Sequence, residues 1–357
     1  MKIQFNDIFV DCTSDGTKIP KELYLKNGKY VIIDQGQNQI AGFTNQEDGV
    51  YSDVPAIIFG DHTRVIKYVD EPFFLGADGV KLLKSTKKDV NYKYLYYALL
   101  SLKVLNLGYN RHFKLLKESN IEYCDINTQN SIVKILDKIN SIIQKHKKVI
   151  NHLDTLIKAR FVEMFGKRME NDEVMLSDIA EFVIGLTYKP ENVSKNGIIV
   201  LRSGNILNNS LQLKNDVVRV SDVSIPKNKY IKKNDILMCA RNGSARLVGK
   251  SCLISDVKED MSFGAFMTVI RSEYPYFLQS FFSSQYFIRQ LTSVATTSVN
   301  QITTYMLNGY KTIKPTDDEE NTFATFVKHI DKLKFDVQKS LEKTQMLFDG
   351  LMQRYFG

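Results

Sequence analysis

The run of residues best suited to chemistry in this 357-residue chain is Gly243-Ser-Ala-Arg-Leu-Val-Gly-Lys-Ser251, whose glycines, lysine and hydroxyl are of the kind that cradle nucleotide phosphates. Its spacing fails: five residues separate Gly243 from Gly249-Lys250-Ser251 where a phosphate-binding loop needs four. The following Cys252-Leu-Ile-Ser255 reads as strand, whereas phosphate binding draws on the amide donors of a helix N-terminus. No G-x-G-x-x-G follows a strand pattern, no G-x-S-x-G elbow occurs, and His62, His112, His146, His152 and His329 form no H-E-x-x-H. Cys12, Cys124, Cys239 and Cys252 are scattered, with no C-x-x-C and no histidine placed to complete a zinc site. No catalytic and no metal-binding residue is therefore nominated, and no disulfide is expected.

What the sequence does contain is a repeat. Thr128–Gly166 aligns without a gap on Glu319–Gly357 at an offset of 191, and both segments end in Phe-Gly. Identities are few (Asn130/Asn321, Ile139/Ile330, Lys148/Lys339, Leu156/Leu347), but the apolar positions coincide. Each segment predicts a long amphipathic helix. In the first, Ile132, Ile139 and Leu153 take one seam position of an approximate heptad, and Ile135, Ile142, Val149 and Leu156 the next. A third row, Leu136, Ile143, Ile150 and Ile157, widens the stripe beyond what one partner helix covers. His146 falls on the seam as a tolerated polar residue.

Upstream of each helix lies sequence rich in Gly, Asn and β-branched residues. Lys29–Ile33, Ala56–Phe59 and Arg64–Val69 in the first region, and Ile198–Arg202, Val217–Val220 and Ser251–Ile254 in the second, read as strands. Shorter helices are predicted over Tyr92–Leu105 and Tyr274–Leu291, each followed by a polar loop: Gly108-Tyr-Asn-Arg-His112 and Thr297-Ser-Val-Asn-Gln301. The expected fold class is α+β, with globular regions 1–125 and 169–315 separated by long helices 126–168 and 316–357 which, if they pair antiparallel, form a coiled coil with internal pseudo-two-fold symmetry.

A hydrophobic fraction of 43% with 25% charged residues suits packed protein. No stretch approaches the roughly eighteen apolar residues of a membrane span, the start MKIQFNDIFVDC lacks the order of a secretory signal, and a cytoplasmic location is expected. The net charge of +8 permits a polyanionic partner but is uneven. Residues 1–125 hold 16 basic and 16 acidic residues, 126–168 hold 9 and 3, 169–315 hold 17 and 13, and 316–357 hold 6 and 8. The two helices are complementary in sign.

Two variable β-rich regions, each followed by a repeated helix closing in Phe-Gly, resemble the specificity subunit of type I restriction–modification enzymes over the full length. Ile132-Val-x-x-Leu-Asp-x-Ile139 and Leu156-Ile-x-x-Arg-Phe-x-x-Met-Phe-Gly166 look like that family's central spacer, and Phe59-Gly-Asp-His-Thr-Arg64 with Phe74-Leu-Gly-Ala-Asp-Gly-Val-Lys81 resembles a pattern of its recognition domains. One departure is visible: the Pro-rich entry to the spacer is reduced to Cys124-Asp-Ile-Asn127, and only Lys314-Pro-Thr316 partly keeps it. The resemblance implies two target recognition domains (1–125 and 169–315) and two conserved spacers (126–168 and 316–357). It implies a non-catalytic subunit that binds double-stranded DNA and docks two methyltransferase subunits and, in the full assembly, two restriction subunits. Cofactors would sit in those partners, S-adenosylmethionine in the methyltransferase and ATP with Mg in the restriction subunit. An Asn/Asp-Pro-Pro-aromatic tetrapeptide, expected of an amino-methyltransferase, is absent here.

Physical reasoning fits this arrangement. Helices of about 35 residues span on the order of 50 Å, or roughly fifteen base pairs, so a paired rod could hold two unlike readers on a bipartite, asymmetric target. Arg, Asn and Gln forks would read bases. The candidates are Gln37, Gln39, His62, Thr63, Arg64, Asn110, Arg111 and His112 in the first region, and Arg202, Asn205, Arg241, Asn242, Ser244, Arg246, Asn300 and Gln301 in the second. Leu136, Ile143, Ile150, Ile157, Phe161, Phe165, Met352 and Phe356 are the candidate partner-binding surface. The competing expectation is a coiled-coil scaffold or protein-interaction adaptor without DNA specificity.

Overall fold

The computed structural model describes all residues except 77, 109, 172, 214–216 and 294–299. These form two compact units, 1–147 with 339–357 and 148–338.

The first unit begins with β1 (Lys2–Gln4), α1 (Phe5–Ile8), β2 (Phe9–Asp11), β3 (Tyr30–Ile33) and β4 (Gly42–Thr44). It continues through β5 (Ala56–Gly60), β6 (Ile66–Val69), β7 (Phe73–Leu75), β8 (Val80–Ser85), α2 (Tyr92–Ser101), α3 (Phe113–Lys117) and β9 (Asn120–Glu122) to the long helix α4 (Ile126–Phe165). The second unit has β10 (Val174–Met175), β11 (Glu181–Ile184), β12 (Val193–Ser194), β13 (Ile198–Leu201), β14 (Ile206–Leu207), β15 (Ser210–Leu211), β16 (Val218–Val220) and β17 (Ile236–Cys239). Then follow β18 (Ser251–Leu253), β19 (Met261–Phe263), β20 (Met267–Arg271), α5 (Pro275–Phe282), α6 (Gln285–Ser293), α7 (Thr304–Gly309), β21 (Lys311–Thr312) and α8 (Asp317–Phe356).

Sheet topology repeats. One sheet runs β2-β8-β5-β6 in the first unit and β11-β20-β17-β18 in the second, all antiparallel. In the other sheet β3 pairs antiparallel with β4 and parallel with β7, as β13 does with β16 and β19. A two-stranded ladder, β1-β9 or β10-β21, leads toward each long helix. The core strands are apolar on both faces, Ala56–Phe59 and Ile236–Cys239 being wholly buried, because helices or a second sheet cover each side.

The long helices start at equivalent caps. Asp125 accepts from the amides of Asn127 (3.0 Å) and Thr128 (3.1 Å), while Thr316 and Glu319 exchange bonds of 2.8 and 3.2 Å in a capping box. One turn on, 191 residues apart, Gln129 accepts the Asn91 amide at 2.9 Å, and Glu320 accepts those of Tyr276 and Phe277 at 2.9 and 3.0 Å. Each thereby ties its long helix to the start of the helix packed on it.

Both long helices enter both units. In the first, Ile132, Val133 and Leu136 of α4 share a core with Phe348, Leu351 and Phe356 of α8. In the second, Phe161 and Phe165 pack on Phe323, and Asp154 meets Lys334 at 2.6 Å. The start of α4 thus meets the end of α8 and the end of α4 the start of α8, which is antiparallel pairing.

Two expectations are corrected. The helix expected over Tyr274–Leu291 breaks into α5 and α6 at Ser283-Ser284, whose hydroxyls bond back to Gln279 and Phe281 carbonyls and compete with the helical ladder. The rows of α4 also exchange roles. Leu136 and Ile143 are buried and Ile150 and Ile157 half-buried, whereas Ile135, Ile142, Val149 and Leu156 are 37–49% exposed. Leu136 and Ile157 pack on the cores of their own units, so the row expected to face a partner is covered in part by the protein itself, and one assigned to the seam is the more exposed.

Candidate nucleic-acid interface

In the first unit the β5–β6 hairpin ends in Asp61-His62-Thr63-Arg64, held by three neighbouring loops. The Asp61 amide donates to the Gly79 carbonyl (2.7 Å), the His62 amide to Gln35 Oε1 (3.2 Å), and Thr63 Oγ1 to the Gln35 carbonyl (2.6 Å). Gln35 Nε2 in turn donates to the Asp78 carbonyl at 3.0 Å. The third loop arrives ahead of α3: the His112 amide and Nδ1 both reach the Asp61 carbonyl, at 2.8 and 2.9 Å, and the Phe113 amide donates to Asp61 Oδ1 at 2.8 Å. A carbonyl only accepts, so Nδ1 carries the imidazole proton. Nε2 is then free to accept the Leu107 amide at 3.2 Å. A wholly buried neutral histidine therefore welds two loops together.

Two backbone positions show how tightly this tip is built. Arg64 adopts φ 61°, a left-handed conformation unfavourable for arginine, held by its amide on the Gly60 carbonyl (2.7 Å) and by Nη1 on the Val104 carbonyl (3.1 Å). Gly79 lies at φ +87°, and a Cβ there would stand 2.4 Å from Gln35 Nε2. Beside Arg64 lies an open hollow of about 550 Å³ lined by Leu100, Leu102, Val104 and Asn106.

The second unit repeats the plan with other residues. The Ile302 amide donates to the Ala240 carbonyl (2.7 Å) as His112 does to Asp61, and Arg241 bridges Gln301. Asn300 Nδ2 reaches the Gly243 carbonyl (3.1 Å), Asn242 Nδ2 reaches Ser203 Oγ (3.2 Å), and Asn242 Oδ1 accepts the Ser244 amide (3.0 Å). The turn between β19 and β20 joins them, its Phe266 carbonyl accepting the amides of Ala240 and Arg241 at 2.9 and 3.0 Å. Ser251 opens β18, so no helix N-terminus follows the loop that partly imitates a phosphate-binding motif.

Most nominated residues thus gather in two loop clusters, one per unit. His62, Thr63, Arg64, Asn110 and Arg111 surround the first, Arg111 and Asn110 being exposed. Gln37 and Gln39 are exposed on the neighbouring β3–β4 loop, where Gln39 Nε2 donates to the Tyr68 carbonyl at 2.7 Å. Arg241, Asn242, Ser244, Asn300 and Gln301 form the second, with Arg246 exposed on its rim and Arg202 at its edge. Residues 297–299 of the expected second loop lie outside the described part, as do Tyr109 and Ala77 of the first unit's motifs.

Three corrections follow. His112 is buried and cannot meet a base; it positions the loop. Asn205 is buried too, its Oδ1 accepting the Arg202 amide at 2.8 Å and its Nδ2 donating to Gln212 at 3.2 Å. Leu136, Phe161, Phe165 and Phe356 are core residues that, with the half-buried Met352, pack within their own units, and Ile143 is buried. Sequence reasoning missed Gln35, Ser203 and Phe266. Only Phe266 had a signal, a Gly-Ala pair after an apolar strand in both halves (Gly76-Ala77, Gly264-Ala265).

Burial pushes the Cys252 thiol up to about 12 and raises that of Cys239, so both stay protonated and inert. Among the described residues no His/Cys/Asp/Glu group could hold a metal ion, and no helix is long and apolar enough to cross a membrane.

Residues 2–155 match the family model described as the type I restriction modification DNA specificity domain. Among solved structures, the S subunit of a type I restriction–modification system from M. genitalium shares the fold: TM-score 0.60, 16% identity, covering 100% of this chain and 96% of that one. A structure from work on complex assembly and conformational transition of the type I R-M system covers 100% and 97% at 11% identity (TM-score 0.48). The HsdS subunit from Thermoanaerobacter tengcongensis covers 92% and 90% at 11% (TM-score 0.40). No curated protein matches the sequence.

Proposed function

We propose that this chain is the non-catalytic, sequence-reading subunit of a type I restriction–modification enzyme, recognising a bipartite, asymmetric site on double-stranded DNA, a reading supported by the match of residues 2–155 to the model of that family's DNA specificity domain. The observation that carries this reading is the duplicated loop cluster: one topology, one hydrogen-bonding plan, and two different sets of Arg, Asn and Gln side chains. Equal scaffolds with unequal tips suit the reading of two unlike half-sites. Such side chains match base edges in the major groove, while backbone amides and lysines hold phosphates.

The partners on this reading are two methyltransferase subunits, which supply S-adenosylmethionine chemistry on a flipped adenine, joined in a full restriction assembly by two restriction subunits with ATP and Mg. The exposed row Ile135, Ile142, Val149 and Leu156 is the face of α4 suited to receive a protein partner. This chain then positions DNA and holds the catalysts beside it.

Selection from random duplexes by the full chain with its methyltransferase partner tests the reading. Two short motifs at fixed spacing are expected, with affinity that falls steeply as salt rises. One contiguous motif would refute the bipartite reading; no DNA affinity at any salt would favour the protein adaptor.

A further inference from the structure

Phe266 is a large apolar side chain placed among polar readers. It is 61% exposed at the tip of the β19–β20 turn. That turn is closed by the Met267 amide on the Gly264 carbonyl at 2.8 Å and pinned to the β17–β18 loop by two bonds on the Phe266 carbonyl. The ring thus projects from a fixed backbone into solvent and contributes nothing to the core. A cationic neighbour is informative: the Arg241 guanidinium lies over the ring at 5.8 Å from the centroid. The corresponding turn of the first unit carries Asp78, engaged by Lys18 at 2.9 Å, so the two clusters differ in chemistry at this point.

Resting on the DNA-reading role above, we infer that Phe266 and Arg241 together read a thymine beside a guanine in the half-site of the second unit, the ring meeting the thymine 5-methyl and the guanidinium the guanine O6 and N7. Only the major groove displays both groups. A wedge driven between base pairs stacks through both ring faces, and here Arg241 already occupies one. What remains free is the ring's edge and far face, sufficient for one methyl group. The neighbouring fork supplies the bidentate geometry that guanine alone offers among the bases.

The full chain with its methyltransferase partner is first given random duplexes. Each thymine of the selected site is then replaced in turn by uracil, which removes the methyl and preserves pairing. One replacement, in one half-site, should weaken wild-type binding about fourfold, the factor that burial of a methyl group is worth. The same replacement should leave Phe266→Ala binding unchanged, and Arg241→Lys should relax selection at the adjacent guanine. Because Phe266 is exposed, its variant should unfold at the wild-type temperature. A selected site at which no thymine is methyl-sensitive, or at which the sensitivity survives Phe266→Ala, overturns this inference and leaves the reading role standing. So does brightening of 2-aminopurine at that step by wild type alone, which would make the ring a wedge. Failure to select any sequence instead removes the DNA-reading role, and this assignment with it.

Discussion

Replacing His112 by alanine separates positioning from contact. The wild-type imidazole is wholly buried, its Nδ1 donating to the Asp61 carbonyl at 2.9 Å and its Nε2 accepting the Leu107 amide at 3.2 Å. In His112→Ala the Leu107 amide loses its acceptor, at about 1–3 kcal/mol, while Asp61 keeps the backbone amide of residue 112 and loses one bond of about 0.5–1.5 kcal/mol. A loss of about 1.5–4.5 kcal/mol is therefore expected for the first unit, seen as a lower urea midpoint at unchanged slope. Leu107 and residue 112 would no longer be joined through the imidazole to the hairpin that carries Arg64. Selection from random duplexes should then blur one half-site and leave the other sharp. Unchanged stability with a sharp half-site would refute the positioning role, and a blurred half-site at unchanged stability would show that His112 touches DNA after all.

Gly79→Ala, at φ +87° with its Cβ aimed 2.4 Å from Gln35 Nε2, should cost about 1–2 kcal/mol or more by urea unfolding and blur the same half-site, since Gln35 holds Thr63. Burial raises the Glu320 carboxyl above its ordinary 4.5, outweighing the helpful Tyr276 and Phe277 amides. A raised folded value means stability that is full below the unfolded pKa and lost as pH rises through the folded one, so Glu320→Gln should flatten the fall in melting temperature from mildly acidic to neutral pH; an unchanged slope would exclude Glu320 as its source. Leu156→Glu, at the most exposed position of the row Ile135, Ile142, Val149 and Leu156 on α4, should shift thermal unfolding little and abolish co-purification of the methyltransferase partner; retained capture would move the docking face elsewhere.

The architecture was legible because long-range order is written in simple periods. The 191-residue offset located both helices, and its physical content emerges in paired caps at Asp125 and Thr316 and paired tethers at Gln129 and Glu320. Strand runs such as Ala56–Phe59 were equally plain from β-branched content. The faces of α4 were not. Hydrophobic spacing shows that three rows are apolar but not which two the protein itself covers, and that depends on the helices and sheets docked there. The clusters were legible as loops and illegible as contacts. His112 and Asn205 have the composition of base readers, yet each spends its polar atoms on neighbouring backbone. Gln35 was invisible because its partners lie 27 and 43 residues away in sequence.

The balanced charge of residues 1–125, awkward for a DNA reader, resolves when the carboxylates are located. Asp34, Asp11, Asp53 and Glu47 are matched to Lys67, Lys81, Lys84 and Lys29 at 3.4, 3.0, 2.9 and 2.6 Å. At the loop cluster itself Asp61 is buried with its oxygen on the Phe113 amide. Asp78 is held by Lys18, which keeps its carboxyl below the usual range, with Arg111 adding to the effect. Neither therefore presents an uncompensated charge to a phosphate, while Arg64, Lys103 and Arg111 stand around the same tip, the last two exposed. Net neutrality of residues 1–125 is compatible with a cationic tip because pairing is local and screening in salt water acts within about 10 Å. On the DNA-reading role proposed above, a domain built this way draws little non-specific affinity from its total charge and gains discrimination from the fixed geometry of a few side chains, which a hairpin held from three sides supplies.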